Sequence, residues 1–160
     1  MRTVKKRSQL QEKQVARQFD AKTVVASGAL WGAKGDVRSD KFLIECKTTE
    51  KDYYSLTASV WEKIEREATK DHLRIPLMVI DLEDRDRVVV FRPKDFDTSI
   101  DTRCTLKQVP KSVRVRAKDL GVNEFGDYTS MIVTHICGKK KNVLCFMLQR
   151  DFEKTYKEEL

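Results

Sequence analysis

The sequence predicts a globular domain of the α/β or α+β class. The chain has 160 residues, the length of a single domain with a buried core, and 40 % of its residues are hydrophobic. Apolar residues recur with helical or strand spacing in the order α-β-β-β-α-β-β up to about residue 95. Periodicity alone does not decide between the two classes, but the order fits an α/β core in which helices flank a mixed sheet.

The first helix is expected from about residue 9 to residue 19, with Ser8 as its N-cap. Val15 and Phe19 lie on its apolar face, and Glu12 precedes them by three and seven residues on the same stripe. A carboxylate on a buried stripe needs a metal ion or a basic partner, and both alternatives stay open. Basic residues before the helix form a short arm that we expect to contact nucleic acid: Arg2, Lys5, Lys6 and Arg7.

A short β-branched run at 23–26 predicts a strand, and a glycine-rich loop at 27–35 follows it. Ser27 opens this loop, where it could bind a phosphate, position a water or serve as a turn serine. Lys34 lies near its end and is a candidate contact to nucleic acid. The loop leads directly into Asp36 and should therefore border any site that Asp36 forms.

The segment 35–49 predicts two short strands joined by a turn, the second from Phe42 to Lys47. Residues two apart in a strand share a face, so Glu45 and Lys47 point the same way in a strand that otherwise has a buried pattern. Asp36, on the neighbouring strand, can converge with them. Two carboxylates can hold Mg²⁺, which prefers oxygen ligands, while an ordinary Glu/Lys pair on a surface hairpin is the alternative.

These residues resemble the signature of the PD-(D/E)XK nuclease superfamily, in which an acidic residue opens one strand and Glu-x-Lys follows on the next. The resemblance extends to the archaeal and phage Holliday junction resolvases, where a helix Glu, a loop Ser, the Asp and Glu-x-Lys followed by Ser or Thr occur in this order. Gly35 stands here where the superfamily has Pro. The matching positions in this chain are Glu12, Ser27, Asp36, Glu45 and Lys47.

The resemblance covers about the first 95 residues and implies a restriction-endonuclease-like core with a central mixed β-sheet flanked by helices. The residue pattern beyond it adds a C-terminal β extension. We expect one nuclease domain over residues 1–160, with the catalytic core at 1–96 and a hairpin and helix extension at 97–160. The C-terminal third either finishes the sheet or forms a dimer contact.

The resemblance also implies a metal-dependent endonuclease that resolves four-way DNA junctions as a homodimer by paired, symmetric cuts. Glu12, Asp36 and Glu45 would bind Mg²⁺ or Mn²⁺, Lys47 would orient the attacking water, and Ser27 would contact the scissile phosphate. The hydroxyls of Thr48 and Thr49 would also touch phosphate. Another nuclease of the superfamily (restriction-type or repair) and a non-catalytic module that binds branched DNA are the alternatives.

The remaining elements follow the apolar pattern. A helix is expected at 56–71, strands at 75–80 and 87–92, and a one-turn helix at 93–96, followed by an irregular stretch at 97–128. Within that stretch, 112–116 alternates Arg with Val and is either a DNA-contacting edge strand or a solvated basic face. Two further strands at 130–137 and 142–148 are joined by a lysine-rich tip, and a polar terminal helix at 151–159 is expected to be peripheral.

The charge balance favours a polyanionic partner, since 32 basic residues face 25 acidic ones for a net charge of +7. Four cysteines without a Cys-x-x-Cys pair and only two histidines argue against a structural zinc site. No apolar run is long enough to span a membrane. We therefore expect a cytoplasmic protein with free thiols, in the host cytoplasm if the chain is viral.

Overall fold

The computed structural model describes residues 4–24, 35–83, 87–96, 109–122, 128–129 and 131–160. Three α-helices and eleven strands lie in these segments, together with two single-turn 3₁₀ helices. The helices are α1 (Val4–Gln18), α2 (Ala58–Lys70) and α3 (Gln149–Thr155), and the 3₁₀ turns are Pro93–Asp95 and Ala117–Asp119. The strands are β1 (Lys22–Thr23), β2 (Val37–Arg38), β3 (Phe42–Thr48), β4 (Tyr53–Thr57), β5 (Ile75–Asp81), β6 (Arg87–Phe91), β7 (Ser112–Arg116), β8 (Gly121–Val122), β9 (Tyr128–Thr129), β10 (Met131–Cys137) and β11 (Lys141–Leu148).

Seven strands form the central sheet, in the order β1-β2-β3-β5-β6-β11-β10. β3 and β5 pair in parallel, with α2 in the crossover between them, while the other neighbours in the sheet are antiparallel. Two small antiparallel ribbons, β4–β7 and β8–β9, lie outside this sheet. The expected class, a mixed sheet flanked by helices, is confirmed.

Each face of the sheet carries its own hydrophobic core, because alternate residues of its strands point to opposite sides. On one face, Val15 of α1, Phe19 directly after that helix and Phe152 of α3 pack against the strands. On the other, Trp61 of α2 and Val115 of β7 pack against the strands. The central strands are therefore covered on both sides, which holds the end of β3 in a fixed position.

The N-terminal region differs from the prediction. α1 begins at Val4, so Ser8 lies inside the helix rather than at its N-cap, and its hydroxyl donates to Glu12 Oε1 over 3.2 Å. Lys5, Lys6 and Arg7 consequently belong to the first turns of a helix and not to an arm.

The expected helix at 56–71 begins later, at Ala58, because residues 53–57 form strand β4. Thr57 is the N-cap, and its hydroxyl accepts a hydrogen bond from Val60 N. Leu56 fits the helical stripe by spacing, but it enters the same core from a strand. Within the stretch expected to be irregular at 97–128, residues 112–116 form strand β7, one of the two alternatives given for them, while the sequence pattern does not predict β8 at Gly121–Val122.

The C-terminal third joins the central sheet, since β11 pairs with β6 and carries β10 at its outer edge. Of the two alternatives raised by the sequence, finishing the sheet is the one seen. At the lysine-rich tip, Lys140 forms an ion pair of 2.5 Å with Glu65 of α2. The terminal helix is not peripheral: Phe152 is completely buried, and Tyr156, just beyond the helix, is 5 % exposed.

Within the described ranges, none of the helices combines the length and the apolar character needed to cross a membrane.

Candidate active site

The site is built where β2 begins, beside the second half of β3. Asp36 directly precedes β2; its N–H donates to Ile44 O over 3.1 Å, and its Oδ2 accepts from Cys46 N over 2.8 Å. Gly35 has a φ of +72°, and a Cβ at this position would lie 2.7 Å from Leu43 Cδ1. A proline has φ near −65° and cannot adopt this conformation, which explains why glycine precedes the aspartate here.

Glu45 and Lys47 lie on one face of β3 and meet in an ion pair of 2.6 Å between Oε1 and Nζ. The side chain of Glu45 is 15 % exposed and that of Lys47 is 34 % exposed. Burial alone would lower the pKa of Lys47, but the hydrogen bond to Glu45 and the negative charges of Glu45 and Asp36 outweigh it, so its pKa is raised. Lys47 is therefore held in its charged form.

The pKa of Asp36 is raised to about 6, first by burial and then by the negative charge of Glu45, with a smaller contribution from Glu12. The hydrogen bond from Cys46 N and the charge of Lys47 oppose this shift. The negative charges of Glu45 and Glu12 thus both act on Asp36. Such crowding disfavours the charged form and would be relieved by a bound cation.

Glu12 reaches this environment because α1 is fastened to the sheet by Gln11, which is 1 % exposed. Gln11 Nε2 donates to Lys47 O over 3.0 Å and to Val79 O over 3.1 Å, and its Oε1 accepts from Thr48 Oγ1 over 2.8 Å. Sequence reasoning missed Gln11. A signal existed, since an amide four residues before Val15 lies on the apolar stripe of α1.

Of the other residues predicted to contact DNA, some lie in the described part of the chain and some outside it. Thr48 gives its hydroxyl hydrogen to Gln11, and Thr49 Oγ1 accepts from Lys51 N over 3.1 Å. Lys5 and Lys6 are exposed on α1, while Arg7 lies 4.0 Å from Glu50, which places the start of α1 beside the segment that follows β3. Three predicted residues lie outside the described part of the chain: Arg2, Ser27 and Lys34.

Within the described residues, no three Asp, Glu, His or Cys side chains are close enough together to hold a metal ion as they stand. The predicted set of Glu12, Asp36 and Glu45 is therefore not a preformed three-carboxylate cage. Mg²⁺ is commonly bound through one or two carboxylates with water in its other positions. Asp36 and Glu45 match that requirement in donor type and in number.

Comparisons with known proteins do not assign a family. No family model matches this chain, and no curated protein matches it. Among solved structures, it is similar to Hjc from Archaeoglobus fulgidus, a Holliday junction resolvase from an archaeal hyperthermophile. The TM-score is 0.45 and the sequence identity 13 %, over 69 % of this chain and 88 % of that chain. The function proposed for this chain therefore depends on the geometry of the site.

Proposed function

We propose that this chain is a metal-dependent DNA endonuclease. One observation carries the proposal: a lysine and two carboxylates, Lys47, Glu45 and Asp36, converge beside the end of a buried strand, with the Glu45–Lys47 contact at 2.6 Å and the pKa of Asp36 raised to about 6. Charged groups in a partly buried cluster are costly for stability, and they are common where chemistry requires them.

Asp36 and Glu45 would hold Mg²⁺ or Mn²⁺. Glu12 would join them on the basis of its place in the residue order shared with the junction resolvases, and its charge also raises the pKa of Asp36. When bound, the divalent cation would polarise the scissile phosphate and promote ionisation of the attacking water. Lys47 carries a positive charge that can orient this water and stabilise the charge that develops on the phosphate. Cys46 supports the geometry through its backbone N–H, which fixes one oxygen of Asp36.

The proposed substrate is a four-way DNA junction, cut by a homodimer whose two sites are related by a two-fold axis. The order of Glu12, Ser27, Asp36, Glu45 and Lys47 along the chain supports this choice through its resemblance to the junction resolvases. The net charge of +7 supports a nucleic-acid partner bound mainly through its phosphates.

The test is cleavage of a labelled immobile four-way junction beside linear duplex, single strand, a flap and a three-way junction, each with Mg²⁺ and with EDTA. Paired symmetric nicks confined to the four-way junction and lost in EDTA are the expected result. Preferred cutting of duplex or flaps would retain the site and replace the junction by another substrate. Tight binding without any cutting at saturating Mg²⁺ or Mn²⁺ would overturn the endonuclease proposal.

A further inference from the structure

The β4–β7 ribbon has one buried and one outward face. Leu56 and Val115 point inward and are almost completely buried in the core beneath α2. Outward-facing residues pair across the two strands, with Tyr53 opposite Arg116 and Ser55 opposite Arg114. The outward face therefore combines an aromatic ring with two guanidinium groups.

The ribbon is attached directly to the candidate active site. Only the residues 49–52 separate the end of β3 from the start of β4. Tyr54 lies close enough to the ion pair of the site for both of its charges to act on it: burial raises the pKa of Tyr54, Lys47 lowers it and Glu45 raises it, and the net shift is upward. On its far side the ribbon is fixed by a hydrogen bond of 2.8 Å from Ala58 N to Lys111 O.

Tyr53 organises the positive charge on this face. Arg114 Cζ lies 5.0 Å and Lys51 Nζ 5.3 Å from the centroid of its ring, both within the range of cation–π attraction. Lys51 and Arg114 are exposed, and within the described part of the chain the structure records no ion pair for either. Arg116 Nε is buried and has no hydrogen-bond partner there. Lys51 and Arg114 are thus held beside an aromatic ring and have no recorded carboxylate partner among the described residues.

We propose that the outward face of the β4–β7 ribbon binds the phosphodiester backbone of the nucleic-acid strand next to the scissile phosphate. The inference rests on the proposed function, because the strand concerned is the one that Lys47 and Glu45 act on. Arginine and lysine neutralise phosphates without reading base sequence, and a ring that orders them reduces the entropy lost on binding. The ribbon follows β3 after only four residues, so one nucleic-acid strand can contact both the site and this face.

The test measures DNA binding by the Arg114→Gln variant with fluorescence anisotropy. EDTA is present so that no DNA is cut. We expect a dissociation constant about 5 to 10 times higher on the junction and on linear duplex alike, and a salt dependence of log K that is shallower by about 0.9, the value for one lost phosphate contact. Tyr53→Leu should weaken binding in the same direction, because Arg114 is no longer ordered. The matched control is Arg150→Gln, an exposed arginine on α3, across the sheet from the ribbon.

A dissociation constant and salt dependence of Arg114→Gln equal to those of Arg150→Gln would overturn the inference. Binding in EDTA does not require cleavage, so the two proposals fail separately. A wild-type protein that binds DNA through the ribbon but never cuts it contradicts only the endonuclease. A protein that cuts DNA, yet binds it equally well after Arg114→Gln, contradicts only the ribbon.

Discussion

The raised pKa of Asp36 predicts that this residue destabilises the metal-free protein at neutral pH. Its pKa rises from 3.8 to about 6 on folding, so the folded chain binds the proton of Asp36 about 100 times more tightly than the unfolded chain. At 1.36 kcal/mol per pH unit this corresponds to about 3 kcal/mol, and solvent screening of a partly exposed carboxylate reduces it to about 1–2 kcal/mol.

The sign follows from proton linkage. Between pH 3.8 and about 6 the folded state holds more protons than the unfolded state, so the free energy of unfolding falls as pH rises through this window. Asn stays neutral at every pH and can still accept the hydrogen bond from Cys46 N. Asp36→Asn should therefore match the wild type near pH 3.5 and exceed its stability by about 1–2 kcal/mol at pH 8.

The assay is urea unfolding in EDTA at a series of pH values and constant ionic strength, monitored by tryptophan fluorescence, to which the buried Trp61 contributes. Asp40→Asn is the matched control, since Asp40 is exposed in the turn between β2 and β3. In Mg²⁺ the difference should shrink or reverse, because only the wild-type carboxylate gains from the cation. A difference in stability between Asp36→Asn and wild type that stays constant from pH 3.5 to pH 8 would refute the reasoning.

Four further results are expected. Lys47→Ala should lower the cleavage rate by about 10²-fold or more. It should also tighten Mg²⁺ binding to the DNA-free protein, measured by calorimetry, because Glu45 is released from its ion pair with Lys47. A cleavage rate within a few fold of wild type would remove Lys47 from the site. Glu12→Gln should raise the Mg²⁺ concentration needed for half-maximal cleavage, and an unchanged metal titration would make this residue structural. Gln11→Leu should lower the free energy of unfolding in urea by about 2–3 kcal/mol, because it removes the hydrogen bonds of a buried amide to Lys47 O and Val79 O. The exposed Gln9→Leu is the control, and equal midpoints for the two variants would contradict this. Phe152→Ala should lower the free energy of unfolding in urea by about 3–5 kcal/mol, because it leaves a cavity in the core. A loss below about 1 kcal/mol would mean that the terminal helix is dispensable for stability.

The central pair of the site could be predicted because its signal is local. Glu45 and Lys47 are two residues apart in an apolar strand, so the period of the strand alone places them on one face. The position of Asp36 required only that two adjacent short strands pair, and they do so in antiparallel register, with Val37 opposite Ile44. Short-range pairing of this kind leaves few alternatives.

The alternation at 112–116 allowed a strand there, but the pairing of β4 with β7 could not be predicted, because it is set by contacts far apart in the sequence. Leu56 precedes Val60 by four residues and so matches a helical stripe as well as a strand. What decides for the strand is its pairing with residues 112–116, about sixty positions later, which no local pattern reveals. The same holds for Phe152, whose partners Phe91 and Phe96 lie on distant elements.

The Glu45–Lys47 contact links the stability of the site to its proposed chemistry. In the metal-free protein Lys47 neutralises Glu45 directly, at 2.6 Å, while Asp36 keeps a proton up to about pH 6. Each carboxylate thus has a substitute for a divalent cation, a lysine for one and a proton for the other. Below about pH 6, binding of Mg²⁺ would have to displace both, which would release a proton from Asp36 and free Lys47 Nζ to face a phosphate. The affinity for Mg²⁺ should consequently rise with pH through the range in which Asp36 ionises. The lysine would then become available for catalysis only when the cation is in place.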